Sequence, residues 1–193
     1  MHVLDRRPIL IALAGPNGAG KTTFYRAFLA SSGLYFVNTD VIAEQLNVGP
    51  YRAAQMAGVF RQQLLEQRVS FVFETVFSDP VGDKLGFLKQ AEALGYTVVL
   101  FFVGIESPRM SDERVAMRVS QGGHDVPADK LIERYPRVMH NLQKALLELS
   151  NIRVYDNSDL SQPYRLVALR EEGGSLDVFK PVPDWLSPLL APR

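Results

Sequence analysis

The amino-acid sequence predicts an α/β fold in which a parallel sheet lies between layers of helices. Three observations carry that prediction. Short apolar strands alternate with helical segments along most of the 193 residues. The connections between them are short, as right-handed βαβ units require. A glycine-rich loop stands directly between the first strand and the first helix, at the strand ends where such sheets gather their ligands.

Each element follows from its residues. Residues 8–14, Pro-Ile-Leu-Ile-Ala-Leu-Ala, form a continuous apolar run ending at glycine, the pattern of a strand buried on both faces. A helix is predicted over 21–30, closed by Ser31, Ser32 and Gly33. A second short strand covers 35–37 and ends at Asn38-Thr39-Asp40. Helices at 41–46 and 51–67 follow, separated by Gly49 and Pro50. Residues 69–76 make a third apolar strand with Glu74 and Thr75 at its carboxyl end, and a helix over 81–94 stops at Gly95.

The strand at 97–103 is nearly all β-branched and aromatic. Ser107-Pro108 opens a helical region to residue 121, Gly122-Gly123 ends it, and another helix covers 128–150. A fifth strand over 152–155 ends at Asp156-Asn157-Ser158. Beyond Pro163 the pattern changes. Residues 164–170 and 176–179 flank Glu-Glu-Gly-Gly-Ser, a β-hairpin signature with glycine in the turn, and the proline-rich end around Trp185 reads as a docked tail.

Composition bounds the function classes. Hydrophobic residues at 47% and charged residues at 22% suit an ordinary compact fold and argue against disorder. Lys plus Arg equals Asp plus Glu at 21 each, so no global positive field draws the chain to nucleic acid, which would need a local patch. The absence of cysteine excludes disulfides, thiolate metal sites and cysteine nucleophiles. The apolar stretch at 9–14 is too short for a signal peptide and runs straight into the glycine loop, so a mature cytoplasmic protein is expected. No apolar run approaches about 18 residues, so no transmembrane helix is expected.

The most informative segment is Gly15-Pro16-Asn17-Gly18-Ala19-Gly20-Lys21-Thr22, with Thr23 behind it. A loop that wraps a polyphosphate needs several backbone N–H groups converging on one anion, and side chains at Gly15, Gly18 and Gly20 would block that approach. The helix amino end adds its dipole. Lys21 supplies a point charge for the β- and γ-phosphates, and the Thr22 hydroxyl is placed to bind Mg²⁺. ATP is the expected nucleotide, ahead of GTP.

Other candidates lie on the same rim. Asp40 reads either as a helix N-cap or as the base that accepts a proton from a hydroxyl attacking the γ-phosphate. Glu74 ends an apolar strand, where a charge needs Mg²⁺, a donor or solvent. It either faces solvent or holds the acceptor or a Mg²⁺-bound water. Thr75 beside it reads as a structural hydroxyl at the acceptor side. Arg114 and Arg118 share one helix face, and Arg134 and Arg137 open the next helix after Gly122-Gly123-His124. Two arginine-bearing helices joined by glycines suit a lid over the transferring phosphoryl group, with Arg118 and Arg134 nearest the break. The three histidines, His2, His124 and His140, lack metal-ligand spacing. Asp156 and Asn157 frame the nucleotide base or form an ordinary turn.

The ordered set resembles the zeta-toxin family of P-loop kinases: G-P-N-G-A-G-K-T-T, N-T-D at 38–40, F-E-T at 73–75, R-V-x-x-x-G-G-H-x-V-P from 118, R-Y at 134 and D-N-S at 156. The resemblance spans roughly residues 8–160. It implies that a hydroxyl of UDP-N-acetylglucosamine is phosphorylated and that a small antitoxin holds the enzyme inactive. It would make Asp40 the base, Lys21 and Thr22 the phosphate and Mg²⁺ contacts, and Arg118 and Arg134 the lid arginines. The expected architecture is then one three-layer P-loop NTPase domain over 1–193. It would have a five-stranded parallel core, a lid over about 107–140, and a C-terminal β-hairpin and tail over about 163–193. Two other readings stand beside a small-molecule kinase: a polynucleotide 5′-kinase, and a nucleotide-binding switch that recruits a protein.

Overall fold

β1 (Ile9–Ala14) is buried along its whole length, as six apolar residues in a row must be when helices cover both faces. The structure, a computed structural model, describes residues 2–120 and 126–190. Around β1 the sheet runs in the order β2-β3-β1-β4-β5-β6-β7. Here β2 is Tyr35–Val37, β3 Phe71–Thr75, β4 Thr97–Gly104, β5 Ile152–Asp156, β6 Arg165–Arg170 and β7 Asp177–Val178.

The first five strands pair in parallel, and β6 and β7 add antiparallel. The expected five-stranded sheet is therefore corrected to seven strands. The parallel core is present, but the C-terminal hairpin does not stand apart from it. β6 pairs with β5, whose unpaired N–H and C=O groups would otherwise form an open edge.

Alternate residues of β1 feed two apolar layers. Leu10, Ala12 and Ala14 join Phe71, Phe73, Leu88 and Leu142 on one face, and Ile9, Ile11 and Leu13 join Phe24, Val72 and Ile105 on the other. The helices that close these layers are α1 (Lys21–Phe24), α2 (Thr39–Leu46), α3 (Pro50–Glu66), α4 (Asp83–Ala93), α5 (Pro108–Ser120) and α6 (Ala128–Glu148). α1 runs on through a π turn at Tyr25–Leu29 and a 3-10 turn at Ala30–Ser32, so the helix expected over 21–30 changes hydrogen-bond register along its length. α5 and α6 carry the arginines expected of a lid. The Gly122-Gly123-His124 break between them lies outside the described residues.

The tail docks through Trp185 and a final helix, α7 (Ser187–Leu190). The Trp185 ring centroid lies 6.1 Å from that of Phe102, and its Nε1 donates to Asp156 Oδ1 at 3.0 Å. The ring lies so close to Gly104 that a Cβ there would come within 2.3 Å of it, which is why the last residue of β4 has no side chain. No helix among the described residues is long and apolar enough to cross a membrane.

Candidate active site

The phosphate loop leaves β1 at Gly15 and enters α1 at Lys21, with Gly20 in the left-handed region at φ 90° as the N-cap. Its glycines answer to protein as much as to phosphate. A Cβ on Gly15 would lie 2.1 Å from the Val103 carbonyl oxygen, and one on Gly20 would lie 2.8 Å from Asn157 Nδ2. The backbone is held from behind by three side chains. Ser111 Oγ donates to the Asn17 carbonyl at 2.7 Å, Asn157 Nδ2 to that of Ala19 at 2.8 Å, and the Tyr164 hydroxyl to that of Gly20 at 3.0 Å. A loop braced in this way has its shape before any ligand arrives, which lowers the ordering cost of binding.

Lys21 is buried, and its Nζ donates to the Pro16 carbonyl at 2.9 Å. Burial pulls its pKa down, opposed by the nearby carboxylates of Glu74 and Asp40. Glu74 is the hub of the site. Its Oε2 accepts from Thr22 Oγ1 at 2.9 Å and from Asn38 Nδ2 at 2.8 Å, and its Oε1 lies 4.0 Å from Lys21 Nζ. Thr22 thus gives its hydroxyl proton to Glu74, which leaves its oxygen lone pairs for a hard cation.

Asp40 stands in the first turn of α2, but the cap belongs to Asn38. Asn38 Oδ1 accepts from the backbone N–H of Asp40 at 2.8 Å and of Val41 at 3.1 Å. The Asp40 carboxylate is therefore not used for capping and lines the cleft beside Lys21, Thr22 and Glu74. Thr75 also lines the cleft, and its Oγ1 accepts from the Phe77 backbone N–H at 3.1 Å, the structural hydroxyl expected of it.

Asp156 and Asn157 sit behind the loop. Asp156 accepts from Ser158, Trp185 and Arg165, and Asn157 bridges the Ala19 carbonyl and the Tyr164 N–H. Every polar atom of both side chains has a protein partner, and through Ala19 the Asn157 amide braces the loop. Thr23, whose side chain hydrogen-bonds with Tyr164, lines the cleft at the same end.

The cleft has a volume of about 980 Å³, within the range of small-molecule sites. Eight lysine and arginine side chains line it against three carboxylates, a local imbalance invisible in a chain of zero net charge. Arg114 and Arg118 reach it from α5 and Arg134 from α6. Arg114 is tied to the Ser158 carbonyl at 3.0 Å, and the Arg118 charge is felt at Lys21.

Arg134 is followed by Tyr135, whose hydroxyl donates to the carbonyls of Ile105 at 2.8 Å and Glu106 at 3.1 Å, and so anchors α6 to the end of β4. Burial raises the Tyr135 pKa from 10.0 to about 12. Its folded value lies above its unfolded one, so the stability it contributes is complete below pH 10 and is lost as pH rises through about 12. Alkaline unfolding followed by circular dichroism should show this loss, and Tyr135→Phe should flatten the slope in that window.

Sequence reasoning missed Asn38, Tyr164, Arg61 and Lys84. Asn38 had a readable signal, since Asn directly after a strand and before a helix is a preferred N-cap. Tyr164 meets the loop across 144 positions, and Arg61 and Lys84 line the cleft from helices that only the assembled sheet brings to its rim.

A strand, loop and helix cradle, a carboxylate rim and helical arginines over one cleft define the class, a P-loop kinase. The family model for zeta toxin matches residues 49–166, more than half of the chain, and the chain belongs to that family. The matched segment begins after the phosphate loop and takes in Glu74, α5, α6 and Asp156-Asn157-Ser158.

An uncharacterized protein of Haemophilus influenzae is 29% identical over 131 residues, 65% of this chain and 91% of that one. Among solved structures, the AvrRxo1-ORF1:-ORF2 complex with ATP matches with a TM-score of 0.70 at 19% identity, over 89% of this chain and 60% of that one. The PezAT chromosomal toxin-antitoxin system of Streptococcus pneumoniae matches with a TM-score of 0.58 at 19% identity, over 78% of this chain and 69% of that one. At these identities the structural likenesses speak for the fold.

Proposed function

We propose that the chain transfers the γ-phosphoryl group of ATP to a hydroxyl of a small molecule. The observation that carries this reading is the Asp40 carboxylate, released from capping by Asn38 and lining the cleft with Lys21 and Glu74. In this reading the acceptor oxygen bonds to the γ-phosphorus, the bond to the β–γ bridging oxygen breaks, ADP leaves, and Asp40 takes the hydroxyl proton.

Lys21 gives up the Pro16 carbonyl for the β- and γ-phosphates. Thr22 and Glu74 would hold Mg²⁺, directly or through water. Bound there, the ion would neutralise phosphate charge as it spreads in the transition state. Thr22 fits this role because its hydroxyl already points its proton at Glu74. Arg118 and Arg134 bring positive charge from the two lid helices.

Membership of the zeta toxin family supports a UDP-N-acetyl sugar as the first acceptor to test and an antitoxin as a protein partner, with the chain working in the cytoplasm. The test is incubation of the purified full chain with γ-labelled ATP and Mg²⁺ against UDP-sugars and a metabolite panel. Label should appear in an alcohol acceptor. Label released only as inorganic phosphate under every condition would overturn the reading.

The cationic lining favours one second reading, a polynucleotide 5′-kinase, since it supplies the local patch that neutral net charge lacked. A 5′-hydroxyl oligonucleotide labelled faster than every small acceptor would decide for it.

A further inference from the structure

We propose that Arg61 of α3 and Lys84 of α4 seat an anionic group of the acceptor, so that the molecule phosphorylated beside Asp40 itself carries a phosphate or carboxylate. The inference rests on the kinase reading above and adds what the acceptor must look like.

Both side chains line the same cleft as the phosphate loop. They reach it from the helices that flank β3, whereas the loop follows β1 and the nucleotide-side arginine Arg114 comes from α5 after β4. Arg61 and Lys84 therefore stand on the acceptor side of Glu74, apart from the groups that would hold the ATP phosphates.

Arg61 cannot swing away easily. Its guanidinium carbon lies 5.2 Å from the centroid of Phe73 and 5.9 Å from that of Phe87, and Phe73 immediately precedes Glu74. The rings clamp the cation at a set place relative to the Glu74 hub.

Five other arginines, Arg6, Arg109, Arg137, Arg153 and Arg165, each pair with a carboxylate within 4.0 Å. Among the described residues, neither Arg61 nor Lys84 makes such a pair. Both are half-buried, and each is close enough to the other that the Arg61 charge acts on Lys84. Burial lowers both pKa values, and the carboxylates of Asp79 and Asp83 only partly offset this at Lys84.

Two like charges held together, desolvated and without an ion-pair partner are unfavourable in the free protein. An arginine serving only solubility or packing would be solvated or paired. An anion bridging the two cations would relieve both the repulsion and the desolvation, and its bonds to them would be the strong, charge-assisted kind. A hydroxyl elsewhere on the same molecule would then lie toward Asp40.

The test uses the full chain with its phosphate loop first saturated by Mg²⁺-ADP; an anion entering the empty γ-position would bind unchanged in the Arg61 and Lys84 variants, and one bridging the two cations would not. Inorganic phosphate, pyrophosphate and acetate are then titrated by calorimetry into wild type, Arg61→Met, Lys84→Met and Asp40→Asn. A second anion event is expected in wild type and Asp40→Asn, weakened about tenfold or more in the Arg61 and Lys84 variants.

ADP affinity, measured on the same samples, reports that each variant is folded. Phosphate against acetate tells a phosphoryl-bearing acceptor from a carboxylate. In transfer assays, matched anionic and neutral alcohols should differ in KM in wild type, and Arg61→Met should shrink that difference.

ADP binding with no second anion event, or a second event unchanged in both variants, would overturn this proposal while leaving the kinase reading intact. Failure of ADP to bind at all would overturn both. Equal KM for neutral and anionic acceptors in wild type would also sink the anion seat.

Discussion

Replacing Asp40 by Asn is expected to lower kcat for phosphoryl transfer by about 10²–10⁴-fold, the usual contribution of a positioned general base. The substitution is nearly isosteric and removes only the proton-accepting charge. It should spare the fold, because the N-cap of α2 is the Asn38 side chain and not Asp40. Nucleotide affinity should also survive, since the phosphate loop is braced by Ser111, Asn157 and Tyr164, none of which touches Asp40. Steady-state transfer kinetics beside a nucleotide titration separate these effects. Wild-type kcat in Asp40→Asn would remove the base from the mechanism, and lost nucleotide binding would instead place Asp40 in the phosphate site.

Trp185→Ala should lower stability by about 3–5 kcal/mol, the range for truncating a large buried aromatic. The ring covers Gly104 and packs near Phe102, and its N–H is one of the donors to the buried Asp156 carboxylate. For a chain of this size the loss corresponds to a fall in Tm on the order of 10 °C. Trp185→Phe keeps most of the packing and drops only the N–H, so a smaller loss of about 1–3 kcal/mol is expected. Thermal and urea unfolding measure both. A cost below about 1 kcal/mol for the alanine variant would mean that the tail contributes little to the core. The same variant should weaken nucleotide binding, because Asp156 adjoins Asn157, which holds the Ala19 carbonyl.

Much of the fold was legible in the residues. The inner parallel strands β1, β3 and β4 are short apolar runs, anticipated at their places because burial on both faces leaves little room for polar alternation, whereas β2 and β5 are half-covered, with Tyr35 exposed and Arg153 and Tyr155 half-buried. Where β6 goes was not legible. Its residues read as half of a hairpin, but pairing with β5 depends on a free edge that exists only once the sheet is assembled. The π turn after Phe24 was also hidden, since nothing in Tyr-Arg-Ala-Phe-Leu separates one helical register from another.

The site divides in the same way. Lys21, Thr22, Asp40 and Glu74 were readable as candidates because each stands at a strand end or just beyond the loop or turn that follows one, and the structure brings all four to one cleft. Asp156 and Asn157 were also placed at a strand end, yet their polar atoms turn back to Ser158, Trp185, Arg165, Ala19 and Tyr164. Arg61 sits mid-helix, where an arginine ordinarily faces water. Its ring clamp arises from Phe73 and Phe87 on two other elements.

The sequence by itself determined the strand, loop and helix around Gly15–Thr22 and the rim carboxylates, because those depend on neighbours a few residues away. The tertiary structure alone decided what those groups touch. It joined Glu74 to Thr22 and Asn38, set Asn157 and Tyr164 behind the loop, and brought Arg61 and Lys84 to the same cleft with no carboxylate of the described residues within ion-pair distance. Such contacts join residues tens to more than a hundred positions apart, and hydrophobic periodicity and turn chemistry carry no information over that range.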